Sequence, residues 1–210
     1  MGVCVSVRTV ERELEREDAI ERGERARRAR AARESRPDGG LILRGTLAAA
    51  DRVNRNGRVY PLGTLMREVA SYDARRVRTG TAYGRFEHPD EGDAATFRNA
   101  DADAETSHRV VEVYWEGKEL RGYVEVLLDR PGGRAVLEAY ERGELLGAST
   151  RSWSGLERRA DGKTYVDDDM ELLAFDLVRN PSAISLNSHG LLVPTTADQY
   201  EWPRRAVKRE

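Results

Sequence analysis

Histidine is scarce in this chain of 210 residues: His88, His108 and His189 are all it has. Any chemistry that needs an imidazole must use one of those three. Cysteine is scarcer still. Cys4 stands alone, so no disulfide framework can form and a reducing compartment is the simpler setting. Its place near a terminus also makes Cys4 a poor candidate for catalysis. Lysine is confined to Lys118, Lys163 and Lys208, so nearly all of the 35 basic residues are arginine. That fits a GC-rich genome first and anion recognition second. No apolar run approaches the roughly 20 residues that span a bilayer. The start, "MGVCVSVRTV", lacks the apolar stretch and cleavage site of a signal peptide. Gly2 and Ser6 do fit the short acylation pattern M-G-x-x-x-[ST], and Cys4 could take a second chain. Two matched positions are few, and coincidence is the plainer reading. Basic charge is not in excess: the formal net charge of −2 argues against a dedicated nucleic-acid binder. No internal repeat is visible.

What is present divides into three parts: a charged extension over 1–40, a globular domain over 41–194 and a tail over 195–210. Residues 11–36 are acidic up to Glu24 and arginine-rich from Arg25. Pairs such as Asp18–Arg22, Glu21–Arg25 and Glu24–Arg28 favour a helix by a few tenths of a kcal/mol each, ~0.2–0.5. Leu14 and Ile20 are almost its only large apolar residues, which predicts a solvated or partner-dependent helix. "RPDGG" at 36–40 breaks it. From Leu41 the pattern alternates. A strand is expected in "LILRGTLAA", a loop with a turn at Asn56-Gly57, and a helix over 62–72 with Leu62, Leu65, Met66 and Val69 on one stripe. A hairpin follows from "SHRVVEVYW" to "LRGYVEVLL", then a helix from Pro131 ending at Gly143, with Val136, Leu137 and Tyr140 on one face. Further strands are expected in "ELLGASTRSW" and "TYVDDDMELLAFDLV". The fold class is therefore α+β, with a mostly antiparallel sheet or barrel core and a few flanking helices.

Few residues invite chemistry. His88 sits between an acid and Pro89, where the backbone is extended and restricted. It is either a loop histidine without a task or a rigidly held base. His108 opens a strand, as a structural hydrogen-bonder or a second catalytic group, and His189 in "NSHG" resembles a turn residue. Ser149 lies in "GASTRSW" with Ser152 and Ser154 as rivals. A serine nucleophile needs a base and donors aimed at the oxyanion, which Arg151 or nearby main-chain N–H groups could supply. Asp176 is an acid in an otherwise apolar strand and needs a partner such as His or Arg. The run "DDDME" at 167–171 alternates faces if extended and has no nearby His or Cys, so a metal centre is not expected.

The order of "NRNGRVYP", "GRFEHP", "SHRVVEVYW", "LLGASTRS" and "LLAFDLVRNPSA" resembles the prohead (capsid-maturation) serine proteases of tailed bacteriophages, distant relatives of the herpesvirus assemblins, over residues 41–187. The resemblance implies an assemblin-like fold and a serine endopeptidase needing no cofactor or metal. His88 would be the base and Ser149 the nucleophile, with Arg151 at the oxyanion or in support. The third member would be Asp176, with His108 as the alternate. Related sequences often have Gly where Ser152 stands here, which keeps Ser152 as a second candidate nucleophile. The implied substrates are phage scaffold or core protein, major capsid protein and the enzyme itself, inside the assembling prohead in the host cytoplasm. No membrane or specific nucleic acid is implied, and a homo-oligomer is compatible. The charged ends would suit docking to scaffold and later self-removal. The other reading is a non-catalytic assembly protein that kept the fold. A hydrolase with a strand–helix elbow is disfavoured, because "GASTR" lacks the second glycine of G-x-S-x-G.

Overall fold

The computed structural model describes residues 7–90, 92–182 and 191–200. Gly2, Cys4, Ser6 and His189 lie outside them.

Helix α1 runs from Val7 to Glu34 and leads into β1 (Leu41–Ala49). A short strand β2 (Arg58–Val59), helix α2 (Leu62–Tyr72) and a π-helical turn (Asp73–Val77) follow. Then come β3 (Tyr83–Arg85), the short helix α3 (Ala94–Arg98), β4 (Thr106–Glu116), β5 (Glu119–Val126) and helix α4 (Pro131–Glu141). The last strands are β6 (Gly147–Trp153), β7 (Leu156–Arg158), β8 (Thr164–Val166), β9 (Glu171–Val178) and β10 (Val193–Thr195). The largest sheet has the order β10-β1-β5-β4-β3, antiparallel throughout. β6 and β9 form a separate antiparallel pair, and β2, β8 and β7 a third small sheet. The fold is α+β and mostly antiparallel as expected. Among the described residues the sheets do not close into a barrel.

Alternation explains the main sheet. β5 reads intermediate and buried by turns, with Leu120, Val124 and Val126 inside. β9 is different: from Leu172 to Val178 it is buried on both faces, so its one acid is enclosed by apolar chain. α2 places Leu65, Val69 and Tyr72 in the core. Met66, expected on that stripe, is exposed instead, because a stripe wider than the contact leaves its edge in water.

α1 is exposed from Glu15 to Arg22, as expected of a solvated helix, but its C-terminal part docks on the domain. Ala29 and Ala32 are buried. Arg25 Nε donates to the Gly143 carbonyl at 2.7 Å, and Arg33 pairs with Glu141 at 3.3 Å. A side chain on Gly143, which has a φ of +73°, would lie 2.2 Å from the Arg22 carbonyl oxygen. Small residues let the helix come this close, so it docks without large apolar groups. Arg36 then reaches the carbonyls of Thr195, Thr196 and Tyr200. The Tyr200 ring stacks on Tyr123 at 3.8 Å. The segment after β10 is thereby held against both α1 and the main sheet.

Candidate active site

β6 and β9 set the site through their register. Ser149 stands directly opposite Asp176, and residues opposite each other on an antiparallel pair project to the same face. Arg151 is two residues beyond Ser149 and shares that face. A bulge between Arg151 and Ser152 then breaks the register.

His88 arrives from the neighbouring sheet. After β3 the chain bridges to β9 at Phe86–Leu177. Glu87 follows in the left-handed region, with φ of 66°. Such a conformation persists in a non-glycine residue only when its surroundings hold it. Here the Glu87 N–H donates to Leu177 O at 2.8 Å, and its carboxylate takes the Arg179 main-chain N–H at 3.2 Å and guanidinium at 3.0 Å. This turn aims the His88 ring at β6 and β9.

The outcome is a continuous chain of hydrogen bonds. Asp176 Oδ2 lies 2.8 Å from His88 Nδ1, and His88 Nε2 lies 2.9 Å from Ser149 Oγ. Asp176 is fully buried, Ser149 is 3% exposed, and the His88 side chain keeps 34% of its surface in solvent. Asp176 also accepts from the Arg85 main-chain N–H at 2.9 Å and pairs with Arg151 Nε at 2.9 Å. Burial by itself would raise the Asp176 pKa. The His88 hydrogen bond, the Arg151 charge and the Arg85 N–H outweigh it, and the carboxyl titrates below the usual aspartate value. An ionised Asp176 accepts only, so His88 carries its proton on Nδ1. That leaves the Nε2 lone pair for the Ser149 hydroxyl proton.

The remaining candidates separate. Arg151 Nη1 donates to the carbonyls of Phe97 at 2.6 Å and Asn99 at 2.8 Å. With its other nitrogens on Asp176, the guanidinium supports the acid and ties down the chain after α3; no arm is left for an oxyanion. His108 touches neither Ser149 nor His88. Its Nε2 donates to the Phe175 carbonyl at 2.9 Å and its Nδ1 accepts from Ser107 at 2.8 Å. Ser152 sits beyond the register break that follows Arg151, outside the Asp176–His88–Ser149 chain. Asp168 holds Thr64 and Arg67, and Asp169 caps the Gly155 N–H. The acidic run therefore braces the β7–β8 region.

One neighbour of the site went unassigned in the sequence. Ser182 Oγ lies 3.1 Å from Ser149 Oγ. Its only sequence signal was its place in the Asn-Pro-Ser run after β9.

A family model described as prohead core protein serine protease matches residues 14–190. The chain belongs to the prohead core protein serine protease family. The match spans His88, Ser149, Asp176 and Ser182 together. A curated member, the prohead core protein protease of Enterobacteria phage T4, is 30% identical over 147 residues. That alignment covers 69% of this chain and 66% of the relative, so the chain spans just under two-thirds of that protein's length. The solved structure of the bacteriophage T4 capsid assembly protease, gp21, superposes with a TM-score of 0.58 at 25% identity. It covers 66% of this chain and 82% of its own.

Two support positions in this family member carry predictions. A side chain on Gly84 would lie 2.3 Å from Phe175 O and 2.5 Å from His108 Nε2. Gly84→Ala must push β3 off β9, carrying the Arg85 N–H and the His88 turn with it. We expect about 1–3 kcal/mol of lost stability by urea denaturation, with a larger fractional loss of activity than of folded protein.

His108 carries the second. Burial lowers its pKa from 6.5 to about 4, against the pull of the Phe175 carbonyl. Above its unfolded value both states are neutral and pH has no effect through this group. Below it only the unfolded chain takes the proton, so stability falls as pH drops from about 6.5 to about 4, by about 3 kcal/mol. Urea midpoints across that range should show the fall. His108→Gln should be less stable at neutral pH but flatter in its dependence.

Proposed function

We propose that this protein is a serine endopeptidase of phage head maturation, its catalytic unit beginning at Leu41. The Asp176–His88–Ser149 chain, at 2.8 and 2.9 Å, carries the reading. Asp176 holds the Nδ1–H tautomer and stabilises the imidazolium. As Ser149 Oγ bonds to a peptide carbonyl carbon, its proton passes to His88 Nε2. That proton then goes to the departing amine nitrogen as the C–N bond breaks, leaving an ester on Ser149. Water, deprotonated by the same Nε2, attacks the ester and restores the serine. Arg151 acts through Asp176.

Family membership and the capsid-assembly role of the T4 relative support scaffold or core protein, capsid protein and the enzyme itself as substrates, inside the prohead. A small cleft lined by Ala48, Ala49, Tyr60, Thr150 and Ser182 adjoins the Ser149 position and is where a peptide would be placed. Among the described residues no helix is long and apolar enough to cross a membrane.

A fluorophosphonate probe tests the assignment. One adduct per chain is expected, on the peptide that contains Ser149 and absent from His88→Ala. An adduct on Ser152, or none on protein shown to be folded, would overturn it. The alternative of a binding-only assembly protein predicts no adduct.

A further inference from the structure

We propose that Ser182 is a further catalytic residue, whose hydroxyl donates to Ser149 Oγ at rest and to the substrate's carbonyl oxygen as that atom becomes negative. The inference rests on Ser149 being the nucleophile, and deepens that reading.

Counting protons leads to it. The Ser149 hydroxyl has one proton, and it points to His88 Nε2, which has a free lone pair. The contact of 3.1 Å between Ser149 Oγ and Ser182 Oγ therefore carries the Ser182 proton, with Ser149 accepting. Ser182 is 5% exposed, so water cannot readily take the place of this partner. Its main chain is fixed as well. The Ser182 carbonyl accepts from the Arg55 N–H at 3.1 Å.

During attack, Ser149 Oγ gives its lone pair to the carbonyl carbon and becomes a poorer acceptor. Negative charge collects one bond angle away, on the carbonyl oxygen. A hydroxyl that already reaches Oγ reaches that oxygen by rotating about its own Cα–Cβ bond. Ser182 also lines the small cleft formed with Ala48, Tyr60 and Thr150. Arg151, the other nearby donor, is taken up by Asp176 and two carbonyls. No bond to Ser182 forms or breaks: its proton stays on it, and only the acceptor changes. A buried donor of this kind acts on the transition state more than on the ground state.

The test is the rate of fluorophosphonate labelling, since phosphonylation builds the same charge on the phosphoryl oxygen. Ser182→Ala should label about 10²–10³-fold more slowly, with the pH midpoint of the wild type, because His88 and Asp176 are untouched. Ser182→Thr, which keeps the hydroxyl, should recover most of the rate and serves if Ser182→Ala folds poorly. Labelling of Ser182→Ala at the wild-type rate, beside a silent Ser149→Ala, would overturn this proposal and leave the nucleophile assignment standing. A slow Ser182→Ala with a displaced pH midpoint would also overturn it, showing an indirect effect through His88. An adduct that persists in Ser149→Ala and maps to Ser182 would overturn both readings.

Discussion

Ser149→Ala is expected to lose about 10⁶-fold in kcat against a processed peptide, while remaining folded. The reaction needs an atom that can bond to the carbonyl carbon, and alanine has none. The residue is only 3% exposed, and among the described residues its hydroxyl bonds to His88 and Ser182. The His88 side chain is part-exposed, so its Nε2 can bind water instead. The stability loss should be about 1–3 kcal/mol, because the buried Ser182 hydroxyl loses its acceptor. His88→Ala should fall almost as far, and the double variant no further, because the two residues act as one unit. Ser152→Ala should keep activity within about twofold of the wild type, because half-buried Ser152 takes no part in the hydrogen bonds of His88 and Asp176. Cleavage of co-expressed scaffold and capsid proteins, read by intact mass, measures all four. Full processing by Ser149→Ala would remove the serine from the mechanism.

Asp176 carries the second large effect, and it acts on activity and folding at once. Asp176→Asn presents an amide to His88 Nδ1 and favours the wrong tautomer, so kcat should drop by about 10⁴-fold with KM little changed. It also leaves Arg151 buried with its charge uncompensated, since the Arg151 side chain is 1% exposed and the carboxylate was its ionic partner. Breaking such a pair by removing one member costs about 3–5 kcal/mol. Adding Arg151→Met to Asp176→Ala should return part of that stability, and none of the activity. Stability recovered together with activity would mean that the acid's role lies in folding alone. Acid sets the sign of a further check. The folded-state pKa of Asp176 is lowered, so its contribution is complete above the unfolded value of about 3.9 and is lost as pH falls through the folded one. Asp176→Asn should lack that step in an acid titration.

Residue type and order along the chain make much of this site legible. Three histidines leave few bases to choose from. An acid inside the apolar run of β9 announces a partner, because burying it alone is costly. The resemblance carried by the succession of short motifs implies His88 as base and Ser149 as nucleophile. The choice between Asp176 and His108 does not follow from it. Both lie on strands beside β3, and alternation tells which face a residue takes without telling which strand lies opposite. The pairing of β6 with β9 places Asp176 across from Ser149, while His108 is turned to Phe175.

Arg151 shows the same limit. A guanidinium two residues from a nucleophile suggests an oxyanion donor, but only packing reveals that Asp176, Phe97 and Asn99 already occupy it. The docking of α1 was hidden because a search for large apolar residues passes over Ala29 and Ala32, which act by letting backbones approach.

By itself the order of residues determined the main strands and helices, the buried acid and the short set of side chains able to move a proton. Those depend on local periodicity and on the cost of burying charge, which neighbours in sequence decide. Only the tertiary structure decided which of these groups meet, that Ser182 joins them and that α1 packs on the body. Strand register and close backbone approach join residues far apart in the chain, and no local pattern encodes them.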